Sequence, residues 1–402
     1  MSVQILTREE SRSASSIKII DADTHLTEPH DLWTSRAPAK WKDKVPQVKM
    51  FEGQMSWVIN GDQSIGTGAH PNSAVLKDGS KVRDLSRFLQ LKFDDVHLGA
   101  SSMKERLQVM DEAGIYAQIV YPNILGFGGQ AAARVDPELR QICVEIYNDA
   151  MAELQADSGG RLLPMALLPW WDVAASVRET ERCIAMGLKG ININSDPHFS
   201  KDDAGNQIPD LGHRHWDPLW EVCSDKNLPV NFHIGASETA IDWMGQQGWP
   251  SLPHDLRSGI SGAMLFFNNG KVVSNLIYSG VLDRFEKLKF VSVESGVGWV
   301  PFLMEALDYQ LYEIAETKSL QMKASEYFKR NFYACFWFEK EDLSETLRRV
   351  GIDNVLFETD YPHPTSLHPI DNLEERLGSL TFEERAKVLS LNAAKLYNID
   401  LG

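Results

Sequence analysis

The chain has little of what marks a secreted, membrane-borne or nucleic-acid-binding protein. Its 402 residues hold four cysteines, Cys143, Cys183, Cys223 and Cys335, widely separated and with no C-x-x-C pair. That argues against a disulfide framework and implies reduced, buried thiols in a cytoplasmic compartment. No apolar run approaches the ~18 residues that a membrane-spanning helix requires. The N-terminus lacks the basic-then-apolar order of a secretory signal, and residues 1–16, polar and rich in Ser, Arg and Glu, are expected to form a flexible arm. Positive charge is scarce. With 40 Lys and Arg against 56 Asp and Glu, the formal charge is −16, which argues against nucleic acid or an anionic membrane as partner. Internal repeats and low-complexity linkers are also missing, so residues 17–402 are read as one domain.

What is present is ordinary for a protein with a sizeable core: 43% hydrophobic and 24% charged residues. Short β-type runs alternate with longer helical patterns, the signature of a parallel sheet. The predicted strands lie near 17–23, 117–122, 162–169, 188–195, 228–235, 289–294, 332–338 and 354–360. Helices are expected at 103–113, stopped by Gly114, at 137–156, 173–186, 218–225, 300–315 and 340–350, with a closing helix over 382–396. Eight strands with helices between them predict an α/β fold, a (β/α)8 TIM barrel. Residues 30–100 interrupt the alternation with Trp33, Trp41, Trp57, Pro38, Pro46, Pro71 and several glycines. So long an aperiodic stretch is expected to be an insertion folded over the active site.

The chemistry is expected where strands end. Asp23 and His25 sit i, i+2 at the close of an apolar run, which puts both side chains on one face of an extended segment. His233 ends the run 230–233, Glu294 the run 290–294 and Asp360 the run 355–360. Carboxylates and imidazoles delivered to one edge by separate strands are how such a barrel builds a divalent metal site. Asp360 is expected to move a proton as well as to touch the metal. His363 and, further off, His254 are candidates for a shuttle or a substrate contact. Trp33, Trp57, Trp243, Trp249 and Trp299 are candidates to line a pocket.

Several motifs together resemble the amidohydrolase superfamily, in particular the amidohydrolase-related branch that includes aminocarboxymuconate semialdehyde and gamma-resorcylate decarboxylases. They are Ile20-Asp21-Ala22-Asp23-Thr24-His25, the run from Arg106 to Ile115 leading into Tyr121-Pro122, and Asp217-Pro218-Leu219-Trp220. Pro229 to His233, Glu294 to Trp299, and Thr359-Asp360-Tyr361-Pro362 complete the set. The resemblance spans nearly the whole chain. It implies Asp23, His25, His233 and Asp360 as ligands of Zn, Fe or Mn, with Asp360 also catalytic. Glu294 departs from the best-known relatives, many of which carry a histidine there. As a ligand it would build a centre of two ions, and as a supporting carboxylate it would orient a ligand histidine. The fourth strand ends in Asn192-Ile193-Asn194, without a lysine to bridge two ions.

Two enzymatic readings follow. The first is hydrolysis, in which a metal-activated water attacks an ester, thioester, amide or lactone carbonyl with Asp360 as base. The alternative is non-oxidative decarboxylation of an aromatic or unsaturated carboxylic acid. A non-enzymatic barrel is a remote third. A small-molecule substrate is expected in either enzymatic case, and association with further copies of the chain is left open.

Overall fold

A computed structural model describes residues 17–67, 70–239, 249–314 and 320–402. The expected arm at 1–16 and Trp243 lie outside these residues.

The barrel is built from short parallel strands: β1 (Ile19–His25), β5 (Ile115–Tyr121), β6 (Leu162–Pro164) with β7 (Ala166–Leu167), β8 (Ile191–Asn192), β9 (Val230–His233), β10 (Phe290–Val293), β11 (Phe332–Phe336) and β12 (Val355–Phe357). Pairing runs β1-β5-β6 and then β7-β8-β9-β10-β11-β12. The third expected strand is therefore split. Pro164 brings no amide hydrogen, so β6 pairs with β5, Met165 still donates to Val120, and β7 turns its bonds to β8. Between β12 and β1 the ring is closed by two backbone bonds, Asp360 N–H to Asp23 O at 2.9 Å and His25 N–H to Tyr361 O at 2.8 Å. The buried Asp21 carboxylate stitches the same seam, accepting from Thr359 N–H at 2.8 Å and Thr359 Oγ1 at 2.6 Å.

The alternation of the strands separates two apolar clusters. Val120, Phe290, Ala334 and Phe336 join the large cluster under the helices, whereas Ile119, Tyr121, Val291, Val293 and Cys335 form the second, closed off by Leu396 and Tyr397. The helices begin and stop where their caps dictate. Asp136 accepts from the N–H groups of Glu138 and Leu139 ahead of Pro137–Asp157, and Gly114, at φ 71°, ends Met103–Ala113. The closing helix differs from expectation, since a π segment at Lys387–Leu391 interrupts it.

The stretch 30–100 is less irregular than its sequence suggests. It holds a three-stranded antiparallel meander, β2 (Gln47–Phe51), β3 (Gln54–Ile59) and β4 (Gln63–Thr67). Glu52-Gly53, both at positive φ, makes the two-residue turn that matches strand twist. Trp33 and Trp57 meet edge to face in the main core, with ring centroids 5.6 Å apart. Further along, Ala74 N–H donates to Pro362 O and Lys81 Nζ to Ser366 O, tying this stretch to the loop that follows β12.

Candidate metal centre

Four strand ends deliver the five residues of the site. Asp23 and His25 leave β1, His233 ends β9, Glu294 follows β10 and Asp360 lies just beyond β12. All five are buried. His25 Nε2 and His233 Nε2 are 3.1 Å apart. Asp23 stands beside both, with Oδ1 3.6 Å from His25 Nε2 and Oδ2 3.4 Å from His233 Nε2. Asp360 Oδ1 is 3.6 Å from His25 Nε2, and Glu294 Oε2 is 3.3 Å from His233 Nε2. Three overlapping groups have ligand atoms within 4.8 Å of one another: Asp23, His25 and His233; His25, Asp360 and His363; and Asp23, Glu294 and Asp360.

Glu294 and Asp360 both sit at left-handed φ, 54° and 56°. For residues with a Cβ that conformation costs on the order of 1–3 kcal/mol, and such strain concentrates at working sites. Glu358 holds the first of these turns by accepting from Glu294 N–H at 3.2 Å. Thr365 bridges the two carboxylates, donating to Asp360 Oδ2 at 2.9 Å and lying 3.5 Å from Glu294 Oε1.

A divalent cation fits this arrangement. His233 Nδ1 faces Ile234 O at 2.6 Å, so its Nε2 presents a lone pair to the cluster. Neither oxygen of Asp23 has a hydrogen-bond partner, although both are buried. Unpaired buried acceptors facing ring lone pairs are costly until a cation joins them. The hard oxygen and borderline nitrogen donors suit Mn, Fe or Zn.

Without a cation the groups resist charging. Burial, with Asp360 and Asp21 nearby, raises Asp23 well above the usual carboxylate range. Burial, with Asp360 and Asp23, does the same to Glu294, and burial with Asp23 raises Glu358. Asp21 is pushed up by burial to about 7. Burial, with His363 and His233 opposite, lowers His25, and burial lowers His233 to about 4. The two classes act oppositely on stability. Raised carboxyls stabilise the fold below their unfolded values, and that contribution is lost as pH rises through the folded values. Lowered histidines stabilise above about 6.5, a contribution lost as pH falls towards 4. Above pH 6.5 the raised carboxyls are the members of the cluster whose contribution is still being lost as pH rises. Chelator-treated protein is therefore expected to lose thermal stability from pH 6.5 to 8, and the gap to metal-loaded protein should widen. A gap that narrows over this range would contradict the reading.

His363 joins the cluster, with Nδ1 2.8 Å from Asp360 Oδ1 and its ring stacked on His25 at 3.9 Å between centroids. Phe127, on the loop after β5, packs against His25 at 5.0 Å and His233 at 4.4 Å. That loop lies close enough that a side chain at Gly128 would meet the Asn194 backbone at 2.9 Å. Other candidates lie elsewhere. His254 and Trp249 are exposed, His254 belongs to none of the three groups, and Trp33 and Trp57 belong to the core. Phe127, Thr365, Asn123 and Glu28 had no sequence signal beyond their nearness to strand ends.

A family-wide sequence profile described as amidohydrolase matches residues 20–399. A gamma-resorcylate decarboxylase from Polaromonas sp. (strain JS666) is 27% identical over 311 residues, 73% of this chain and 87% of that enzyme. The gamma-resorcylate decarboxylase of Rhizobium sp. (strain MTP-10005) is 25% identical over 73% of this chain and 86% of its own length. Among solved structures, an amidohydrolase from Mycobacterium avium subsp. paratuberculosis aligns with 95% of this chain and 99% of its own, at a TM-score of 0.72 and 21% identity. A dihydroxybenzoic acid decarboxylase from Polaromonas sp. JS666, solved with manganese and the inhibitor 2-nitroresorcinol, aligns at a TM-score of 0.59 and 23% identity, over 82% of this chain and 94% of that one.

Proposed function

The chain belongs to the amidohydrolase family of enzymes, and we propose that within it this protein is a metal-dependent decarboxylase of a hydroxylated aromatic carboxylic acid. The observation that carries this reading is Asp360, set against the Asp23, His25 and His233 ligand group with His363 Nδ1 2.8 Å away. A carboxyl beside a cation site and a histidine can be reloaded with a proton between turnovers. The relatives favour the same reaction over hydrolysis, since the two gamma-resorcylate decarboxylases cover 73% of this chain.

Asp23, His25, His233 and Asp360 would hold the ion, and the dihydroxybenzoic acid decarboxylase was solved with manganese bound. When bound it supplies positive charge for the substrate's carboxylate and phenolic oxygens. The chain's own residues move the proton. Asp360 gives its proton to the ring carbon that carries the carboxylate. The bond to the carboxyl carbon then breaks, its electron pair returns to the ring, and CO2 leaves. The ring carbon keeps the new C–H bond, and Asp360 is left as a carboxylate. His363, 13% exposed, returns a proton to it from solvent. Phe127 closes an apolar wall beside His25 and His233 and keeps water from the reacting carbon. Residues 30–100, bonded to Pro362 and Ser366, are assigned as the insertion that walls the mouth and selects the substrate.

One observation favours hydrolysis as a second reading. Asp23, Glu294 and Asp360 form a group of their own, sharing two residues with the ligands above. A second ion there would generate hydroxide. The test is direct: incubate manganese-loaded enzyme with 2,6-dihydroxybenzoate, 5-carboxyvanillate and related hydroxybenzoates for CO2 release, and with aryl esters, thioesters and lactones for hydrolysis. CO2 release, with metal content unchanged in Glu294→Gln, is the expected result. Ester or lactone turnover with two ions per chain, one lost in Glu294→Gln, would replace decarboxylation by hydrolysis.

A further inference from the structure

His363 is gripped by a neutral side chain from another strand end. Its Nε2 makes a 3.0 Å hydrogen bond with Asn123 Oδ1, across 240 residues of chain. The Asn123 amide is itself oriented, because its Nδ2 donates to Leu26 O at 3.3 Å, leaving Oδ1 as the atom turned to the ring. The imidazole therefore donates from Nε2–H and turns Nδ1 to Asp360. Behind Asn123 lies Glu28, a buried carboxyl whose Oε1 accepts from the N–H groups of Asn123 at 2.8 Å and Ile124 at 3.2 Å. Three strand exits, after β1, β5 and β12, are laced together by this one chain of contacts.

We infer that Asn123, seated by Glu28, is the positioning residue of His363 and fixes which ring nitrogen faces Asp360. The inference rests on the assignment of His363 as the proton relay. The Asn123 side chain bonds to the His363 ring and to Leu26 O, so its work is done through the ring. A ring without this acceptor can flip about χ2 and present a carbon to Asp360 in place of Nδ1. Turnover falls, while metal and substrate binding stay as they were. Partners that orient a working histidine from behind are typically worth about 10- to 100-fold.

A double-mutant cycle with a separate spectroscopic arm tests this. Asn123→Leu is expected to lower kcat about 10- to 100-fold in the otherwise native enzyme, with KM and metal content unchanged. In a His363→Ala background the same substitution should cost less than about 2-fold. Equal losses in both backgrounds would mean that Asn123 merely supports the loop, and would overturn the inference. Asn123→Ser, which keeps a short polar group but withdraws the acceptor, serves if leucine unfolds the protein. The second arm uses metal-free protein with 15N-labelled histidine rings, the His363 signals being assigned by their loss in His363→Ala. Native protein should show a hydrogen-bonded Nε2–H whose 15N shift moves to that of a ring without an acceptor in Asn123→Leu. An unchanged ring spectrum overturns the inference even if no hydroxybenzoate is turned over, and that failure of turnover would count against the functional reading alone.

Discussion

Asp360→Asn is expected to lower kcat by about 100- to 10,000-fold, the range lost when a positioned acid or base is removed. The substitution keeps the size of the side chain and an oxygen for the ligand group, so fold and metal content should survive. What it removes is the ionisable carboxyl whose Oδ1 lies 2.8 Å from His363 Nδ1. Thr365 donates to Asp360 Oδ2 at 2.9 Å, and an amide oxygen can accept the same bond. Steady-state kinetics alongside metal analysis decides the matter. A variant that holds its metal and turns over at the native rate would remove Asp360 from the mechanism.

The second large effect is expected at His233. Its Nε2 lies within 3.1–3.4 Å of His25 Nε2, Glu294 Oε2 and Asp23 Oδ2. His233→Ala should lose most of its bound metal and more than about 100-fold in activity, a larger effect than loss of an outer partner. Stripping native enzyme with a chelator should have the same outcome, reversed by manganese. The variant should not recover at the same manganese concentration. Full recovery there, or activity that survives chelation in the native enzyme, would show that the cluster is not where the ion acts.

Much of this site could be read from the sequence because each member ends an apolar run. His233 closes Val230–Phe232, and Asp360 follows Val355–Phe357 by three residues. Parallel strands in a barrel place all such ends at one rim, so a one-dimensional pattern carries a three-dimensional neighbourhood. The eight strands were legible for the same reason, apart from the division at Met165, where Pro164 redirects the pairing. The meander at Gln47–Thr67 was less so. Its turn residues Glu52-Gly53 and Asn60-Gly61 are written in the chain, but the surrounding tryptophans, prolines and glycines hide the period-2 pattern.

Asn123 and Glu28 were not legible at all. A single amide and a single acid carry no spacing signature. They come together only because β1 and β5 are neighbours and β12 closes on β1, and the contacts they make span 95 and 240 residues. The π segment at Lys387–Leu391 is likewise set by packing against β12 and β1 rather than by local propensity. Reaction type was the other limit. Glu294 weighed towards hydrolysis as a ligand residue at a strand end, whereas the choice between attacking water and protonating carbon depends on how one proton on Asp360 is used.

The most direct measurement follows that proton. Manganese-loaded enzyme is incubated with 2,6-dihydroxybenzoate in D2O, with CO2 trapped and the aromatic product examined by mass spectrometry and NMR. One CO2 per product and one deuterium at the carbon that lost the carboxylate, with both lost in Asp360→Asn, is the predicted result. No CO2 from this or any hydroxybenzoate, together with hydrolysis of an ester or lactone by the same preparation, would contradict the account.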